Sequence, residues 1–85
     1  MVTRTLIVNA PEGLHARPAS IFTVAAAQSG AAVTVTYGEK SANAASILEV
    51  LSLGVSAGAE ITLSVEGDGA EAVLDELISL LETLH

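Results

Sequence analysis

Alternation of apolar and polar residues predicts two strands in this chain. Segments 33–37 and 61–65 place an apolar residue at every second position, with threonine or serine between them. This alternation is typical of a strand that buries one face. A first strand is predicted over residues 2–9. A short third strand is predicted over residues 40–42, after a two-residue hairpin turn at Gly38-Glu39.

Three further segments have the pattern of helices. The alanine-rich run 16–28 ends before Ser29-Gly30, which suits a helix end. A capping box of Ser46 with Glu49 predicts a helix over residues 47–53, stopped by Gly54, and a second box is predicted from Asp68 to Glu71. The apolar stripe of the last helix consists of Val73, Leu74, Leu77, Ile78, Leu80, Leu81 and Leu84.

The resulting order is βαββαβα, in a single domain over residues 1–85. Four short strands and three helices favour an α+β fold, with a mainly antiparallel sheet covered on one face by the helices. The pattern is equally compatible with a ferredoxin-like strand order, because periodicity does not determine which strands are neighbours.

Composition excludes several functional classes. The net charge is −7, with three Lys or Arg residues against ten acidic ones, which argues against nucleic acid and anionic membranes as partners. The chain has no cysteine and only two histidines, so we expect no metal site and no cofactor. The second histidine, His85, is interpreted as a tail residue. With no basic leader and no apolar run near 18 residues, we expect a cytoplasmic protein without membrane insertion.

The octapeptide Gly-Leu-His-Ala-Arg-Pro-Ala-Ser at residues 13–20 concentrates the candidate chemistry. Pro18 is tolerated in a first helical turn, so His15 is predicted at a helix start. Positions 13–17 hold no capping Asp, Asn, Ser or Thr. The backbone N–H groups of Ala16 and Arg17, with the helix dipole behind them, are therefore predicted to form an anion site.

His15 and Arg17 together suit phosphoryl chemistry. A neutral imidazole is a competent nucleophile toward phosphorus, and the product carries about two negative charges, by analogy with other phosphorylated side chains. The helix start and the Arg17 guanidinium would stabilise that dianion, and the same positive field keeps the free ring neutral.

A lone histidine is more often a hydrogen-bonded structural residue, and a lone arginine a solvated charge. Their proximity at a helix start favours the functional interpretation here. The chain has neither a Gly-rich phosphate loop with its lysine nor a convincing base for a serine nucleophile. The residues therefore predict a reversible phosphoryl acceptor without a nucleotide site of its own.

Residues 13–20 and 43–54 resemble the HPr family, the histidine-containing phosphocarriers of the bacterial sugar phosphotransferase system. The resemblance spans the whole chain and implies an open-faced β-sandwich with strand order 1-4-2-3. It implies that His15 accepts a phosphoryl group on Nδ1 from phosphorylated enzyme I, which phosphoenolpyruvate charges. It also implies that His15 passes the group to a IIA domain of a sugar permease and that Arg17 shifts toward the phosphate or the partner.

The resemblance also bears on Ser46, because an ATP-dependent serine kinase modifies the matching serine in many Gram-positive bacteria. The alternative is that Ser46 only caps its helix, which the capping box already explains. The lysine-poor composition resembles HPr from high-GC Gram-positive bacteria, where that kinase is often absent.

The chain departs from the family where partners dock. Many HPr proteins carry lysine at the positions of Val24, Ala27, Ala45 and Glu49. Long-range steering is therefore expected to be weak. Docking is expected to depend on an apolar patch near the His15 loop, although partial core burial is the other explanation for these residues. The expected docking residues are Ser20, Ile47, Leu48 and Leu51.

Two alternatives remain open from the sequence. One keeps the chemistry but places the carrier in a non-sugar relay, such as that of a dihydroxyacetone kinase. The other is a regulatory binding module that acts through Ile47 and Leu48 and does not need His15. A monomer is expected in either carrier role, because a carrier must alternate between partners.

Overall fold

The computed structural model describes residues 1–8 and 16–83. The elements follow the predicted βαββαβα order. Their bounds are β1 Val2–Ile7, α1 Ala16–Gln28, β2 Ala32–Tyr37, β3 Lys40–Asn43, α2 Ile47–Ser52, β4 Glu60–Glu66 and α3 Ala70–Thr83.

The four strands form one antiparallel sheet in the order β1-β4-β2-β3. This is the order that the resemblance implied, and the ferredoxin-like alternative is wrong. The hairpin between β2 and β3 is the predicted two-residue turn: Gly38 has a φ of 62°, and Glu39 has a negative φ. Glycine is favoured at this first turn position because it adopts positive φ without steric cost.

One face of the sheet is apolar and covered by the helices. Val33 on β2 lies opposite Val65 on β4, and Val35 lies opposite Leu63. The intervening positions, which face the other side, are mostly threonine and serine, as expected for a sheet with one solvated face. The largest fully buried side chains are Phe22, Ile61, Leu63, Leu74, Leu77, Val35, Val50 and Val65.

Helix α1 lies between the other two helices. It packs against both α2 and α3, while α3 covers β1 and β4 and α2 contacts β3. Its buried side is built from Ala19, Phe22, Thr23 and Ala26, a pattern of positions i, i+3, i+4 and i+7 that lies on one side of a helix. After Gln28 the chain turns at Gly30, whose φ of 74° confirms the predicted helix end.

Several predicted boundaries differ from the structure. The first strand ends at Ile7; Asn9, the predicted end, lies outside the described residues. The third strand extends one residue further, to Asn43. Helix α2 ends at Ser52 rather than Leu53, because the Leu53 N–H donates to the Val50 carbonyl three residues back and tightens the last turn.

The second capping box is wrong. The Val73 N–H donates to the carbonyl oxygen of Gly69 at 3.1 Å, so Gly69 occupies the cap position and Asp68 lies one residue before it. Gly69 has a φ of 72°, a conformation that costs an aspartate more than a glycine. Among the described residues, the Asp68 carboxylate has no hydrogen-bond partner, and Leu84 of the predicted stripe lies outside them.

Thr23 is the one buried residue of the described core that is polar, and its Oγ1 has no hydrogen-bond partner. Burial of a hydroxyl group without a hydrogen-bond partner costs free energy, because the group loses its hydrogen bonds to water and gains none in the protein. We therefore expect Thr23→Val, which replaces the hydroxyl by a methyl group of similar size, to raise the free energy of unfolding by about 1 kcal/mol. Urea denaturation followed by circular dichroism measures this change.

The matched control is Thr34→Val, at an exposed position on the solvated face of the sheet. We expect it to change the free energy of unfolding by about 0.5 kcal/mol or less. A Thr23→Val variant less stable than the parent protein would mean that the hydroxyl has a partner after all.

Candidate functional site

Arg17 is the second residue of α1, and its side chain is exposed. The first turn of α1 contains no acidic residue, and no carboxylate of the described residues forms an ion pair with Arg17. Arg4 differs, because its guanidinium is paired with Asp75 at 3.1 Å. Within the described part of the chain, Arg17 is thus a cation whose charge is not neutralised by a neighbouring carboxylate.

Helix α1 begins at Ala16, as the sequence predicted. The N–H groups of Ala16 and Arg17 therefore belong to the first turn, where a helix offers them no acceptor. His15 directly precedes this turn in the sequence and lies outside the described residues. The described half of the octapeptide thus supplies a helix start and one guanidinium, both suited to an anion.

Ser20 lies one turn after Arg17 and is exposed. Its hydroxyl donates to the carbonyl oxygen of Arg17 at 3.3 Å. The hydroxyl proton is therefore used within the helix, and the oxygen keeps capacity to accept a hydrogen bond from a partner.

Ser46 is the N-cap of α2, with extended backbone angles (φ −110°, ψ 111°). Its hydroxyl oxygen accepts a hydrogen bond from the Glu49 N–H at 3.4 Å, and its carbonyl oxygen accepts one from the Val50 N–H at 3.0 Å. The capping function predicted for Ser46 is confirmed.

The second half of that capping box is wrong. The Ser46 N–H donates to the Asn43 carbonyl at 3.0 Å, and the Glu49 carboxylate instead accepts a hydrogen bond from the Asn43 N–H at 3.2 Å. The Asn43 Oδ1 accepts a hydrogen bond from the Ala45 N–H at 2.9 Å, forming an Asx turn. Because the Ser46 N–H is already bonded to the Asn43 carbonyl, the Glu49 carboxylate binds the N–H of Asn43, at the end of edge strand β3.

Sequence reasoning missed this role of Glu49. It treated Glu49 as the capping-box partner of Ser46 and as a replacement for a lysine found in many HPr proteins. The sequence contained one indication of a turn before α2, namely Asn43. Asparagine commonly forms a turn in which its side-chain oxygen accepts a hydrogen bond from the N–H two residues later. The Glu49 carboxylate thus stabilises the connection between β3 and α2.

The apolar docking residues predicted on α2 are not equally exposed. Leu48 is 78% exposed, whereas Ile47 and Leu51 are partly buried against the core. The interpretation of Leu51 as a partial core residue therefore applies to Ile47 as well. Leu48 is the large apolar side chain of α2 that is available to a partner.

Helix α1 contributes two more exposed apolar residues, Ile21 at 40% and Val24 at 54%. Positions 17, 20, 21 and 24 fall on one side of a helix because of their spacing. Since α1 packs against α2, we define the α1–α2 face as Arg17, Ser20, Ile21, Val24 and Leu48. Ile21 was not among the docking residues predicted from the sequence.

Charge is unevenly distributed over the helices. The charged residues of α1 and α2 are Arg17 and Glu49, which sum to zero. Helix α3 carries four acidic residues and no basic one, and its Asp75 is paired with Arg4. The four carboxylates of α3 thus lie on a helix that contributes no residue to the α1–α2 face.

Residues 1–8 and 16–83 contain neither a metal-binding cluster nor a membrane-spanning helix. No group of three or more His, Cys, Asp or Glu side chains is placed to hold a metal ion in these residues. None of the described helices is long and apolar enough to span a membrane.

Known proteins resemble this chain over nearly its full length. The family model of the PTS HPr component phosphorylation site matches residues 2–83. The phosphocarrier protein HPr of Streptomyces coelicolor is 49% identical over 82 residues, which cover 95% of this chain and 88% of that protein.

Two crystal structures of HPr from Thermoanaerobacter tengcongensis are similar in fold. One, HPr-C-His, has a TM-score of 0.93 at 38% identity and covers 98% of this chain and 93% of its own. The other, described as an HPr dimer, has a TM-score of 0.76 at the same identity and covers 98% and 95%.

The cap geometry predicts how Ser46 contributes to stability. We expect Ser46→Ala to lower the free energy of unfolding by about 1 kcal/mol, because the Glu49 N–H loses its acceptor. Ser46→Asp keeps an acceptor at the cap and should retain most of the stability. Chemical denaturation of the three proteins measures the difference.

The control is Ser79→Ala, at an exposed position within α3. There we expect a change of about 0.5 kcal/mol or less, in the stabilising direction, because alanine is the better helix former. Equal stability of Ser46→Ala and the parent protein would contradict the role of the cap.

Proposed function

Because this chain belongs to the HPr family of the phosphotransferase system, we propose that His15 is the residue that carries its phosphoryl group. The chain is a phosphocarrier of that system. His15 is the one histidine within residues 2–83, the part of the sequence that matches the family model of a phosphorylation site. This single observation carries the assignment.

The proposed transfer needs little from the carrier beyond a nucleophile and positive charge. A ring nitrogen of His15 attacks the phosphorus held by phospho-enzyme I, so a P–N bond forms as the donor's bond to phosphorus breaks. The reverse exchange on a IIA domain returns His15 to its free form. Phosphoryl transfer depends mostly on positioning and charge stabilisation, which two opposed surfaces can supply together.

Arg17 is proposed as the side chain that stabilises the phosphoryl group on His15. Its guanidinium is exposed, and no carboxylate of the described residues pairs with it. A planar guanidinium matches phosphate oxygens in bidentate geometry. The N–H groups of Ala16 and Arg17 at the start of α1 add donors of the same sign.

The α1–α2 face is proposed as the surface that meets enzyme I and the IIA domains. It begins at Arg17, beside the proposed phosphorylation site, and extends to Val24 and Leu48. Exposed Leu48 provides an apolar anchor. Ser20 belongs to this face, whereas Ile47 and Leu51 are partly buried and pack against the core.

We propose that the carrier acts as a single-domain monomer in the cytoplasm. The same face must meet donor and acceptor in turn, so it has to be free between transfers. A structure described as an HPr dimer matches this chain less closely than HPr-C-His, at equal identity. Light scattering after gel filtration is expected to give one species of 8.6 kDa, and a mass of twice that value would contradict the monomer.

Regulation through Ser46 by a serine kinase stays a prediction. The hydroxyl is partly buried and already caps α2, and the Glu49 carboxylate in the first turn of α2 binds the Asn43 N–H, three residues before Ser46. A phosphate on Ser46 would meet the positive end of α2 but also the charge of Glu49. Incubation with ATP and such a kinase, followed by mass spectrometry of the Ser46 peptide, tests it.

The first functional prediction concerns His15. With enzyme I and labelled phosphoenolpyruvate, the protein should acquire an acid-labile, base-stable label, and His15→Ala should acquire none. His85→Ala is the matched control and should be labelled like the parent protein. A labelled His15→Ala would assign the phosphoryl group to another residue.

The second concerns Arg17. We expect Arg17→Ala to slow onward transfer to a IIA domain about tenfold or more, because the loss of one charge-assisted contact of 1.5–3 kcal/mol corresponds to roughly that factor. Arg4→Ala removes an equal charge from β1 and should transfer at the parental rate. Rapid-quench measurement of both variants provides the comparison, and equal rates would refute the role of Arg17.

The same variants and the same labelling assay distinguish the two alternative functions, a regulatory binding module and a carrier in a non-sugar relay. A regulatory module acting through Leu48 would keep partner binding after His15→Ala and would not need the label. The family match does not favour that alternative. A carrier in a dihydroxyacetone kinase relay would be labelled but would not restore sugar uptake in an HPr-deficient strain.

A further inference from the structure

We propose that a cavity at the β2–β3 end of the sheet binds a linear aliphatic polyamine, whose ammonium groups contact Glu49 at one end and Glu66 at the other. The cavity has a volume of about 480 Å³ and is lined by residues of β2, β3 and the segment that leads into α2. None of the residues of the α1–α2 face lines it. The inference is therefore independent of the proposed function.

Small side chains give the cavity its shape. Ala32 and Thr34 flank buried Val33 on β2, so their side chains lie on the solvated face of the sheet. Asn43 pairs with Thr34 and lies on the same face, whereas Ala45 follows β3 and lines the cavity too. The two alanines leave a depression between longer polar side chains. Its apolar floor suits the methylene groups of an aliphatic chain.

The polar groups on the wall of the cavity include hydrogen-bond acceptors. The Glu49 carboxylate lines it and is held at the edge of β3 by the Asn43 N–H, at 3.2 Å. A carboxylate has about four acceptor sites, so most of its capacity remains for a ligand. The hydroxyl oxygens of Thr34 and Ser41 lie on the same wall. An ammonium group has three donors and no acceptor, and it therefore matches these oxygens.

Glu66 provides the second carboxylate. It lies directly opposite Ala32 in the pairing of β2 with β4, so both side chains are on the solvated face. Glu49 binds the backbone of β3, two strands away from β4. Because neighbouring strands are about 4.8 Å apart, the two carboxylates are separated by about 10 Å or more. A chain with several methylene groups between its nitrogen atoms can reach both, whereas a single ammonium group cannot.

Charge favours an organic cation over other small ligands. No lysine or arginine among residues 1–8 and 16–83 forms an ion pair with Glu49 or Glu66. The net charge of −7 disfavours an anion. A hard divalent cation takes six or more oxygen ligands, and the described residues contain no group of three acidic or histidine side chains that could hold a metal ion.

The test is a titration of the full-length, ¹⁵N-labelled protein with spermidine, followed by the amide resonances in heteronuclear NMR spectra. We expect saturable shifts confined to residues 31–34, 41–45 and 66, with a dissociation constant of about 1–10 mM, because the ion pairs stay partly exposed. Butylamine, which has one ammonium group, should bind at least about threefold more weakly. Octane-1,8-diol, which has none, should cause no saturable shift.

Charge-neutral variants locate the site. Glu49→Gln keeps an oxygen for the Asn43 N–H, and Glu66→Gln does not touch that turn; each should weaken spermidine binding about threefold to fivefold, the effect of an exposed ion pair. Glu71→Gln, at an exposed position on α3, makes the same change in net charge and should bind within about 1.5-fold of the parent protein.

The shape of the cavity is tested separately. Ala32→Ile leaves both carboxylates in place but fills the depression, and it should weaken binding about threefold or more. The amide spectrum of each variant without ligand verifies its fold. Shifts centred on α3, or an equal loss of affinity in Glu71→Gln and Glu49→Gln, would reduce the effect to general attraction by an acidic chain and overturn the proposal. Absence of saturable shifts up to 50 mM spermidine would overturn it as well.

Discussion

The burial of one face of β4 is the constraint on which the rest of the structure depends. Ile61, Leu63 and Val65 are buried, and β4 is hydrogen-bonded to both β1 and β2. An antiparallel strand with one apolar face must be covered on that side. The helices that cover the sheet are consequently held side by side, and the exposed surfaces of α1 and α2 become neighbours.

This arrangement allows a small acidic chain to keep one neutral surface. The acidic residues of α3 lie on the far side of α1 from α2, and one of them pairs with Arg4. The Arg17 guanidinium, which no carboxylate of residues 1–8 and 16–83 pairs, can then act on an incoming phosphoryl group without competition from the carboxylates of α3. Separation of charge between helices thus supports the chemistry proposed for His15.

Glu49 has a structural role at a position where many HPr proteins carry a lysine. Its carboxylate binds the Asn43 N–H at the end of β3, the edge strand of the sheet. Such edge groups need a partner or water. Because this carboxylate stabilises the turn into α2, docking nearby would depend on apolar side chains. The exposure of Leu48 is consistent with this.

Local sequence was sufficient for several features and insufficient for others. The bounds of α1, the hairpin glycine Gly38 and the cap residue Ser46 were predicted correctly, because each depends on a few adjacent residues. The box at Asp68 failed because backbone conformation at Gly69 moved the cap by one position. The partner of Glu49 was missed because it lies six residues earlier, on another element.

The sequence by itself determined the order of elements, the buried side of β2 and β4, and the residues of the proposed phosphoryl site. The periodicity of apolar residues indicates which side chains avoid water. The order of the elements and the buried side of these strands can therefore be predicted without knowing which elements pack together. The tertiary structure decided the strand order β1-β4-β2-β3 and the placing of Ile21 and Val24 on a helix beside that of Leu48. Those depend on which elements pack together, a choice that hydrophobic pattern leaves open because apolar contact is not directional.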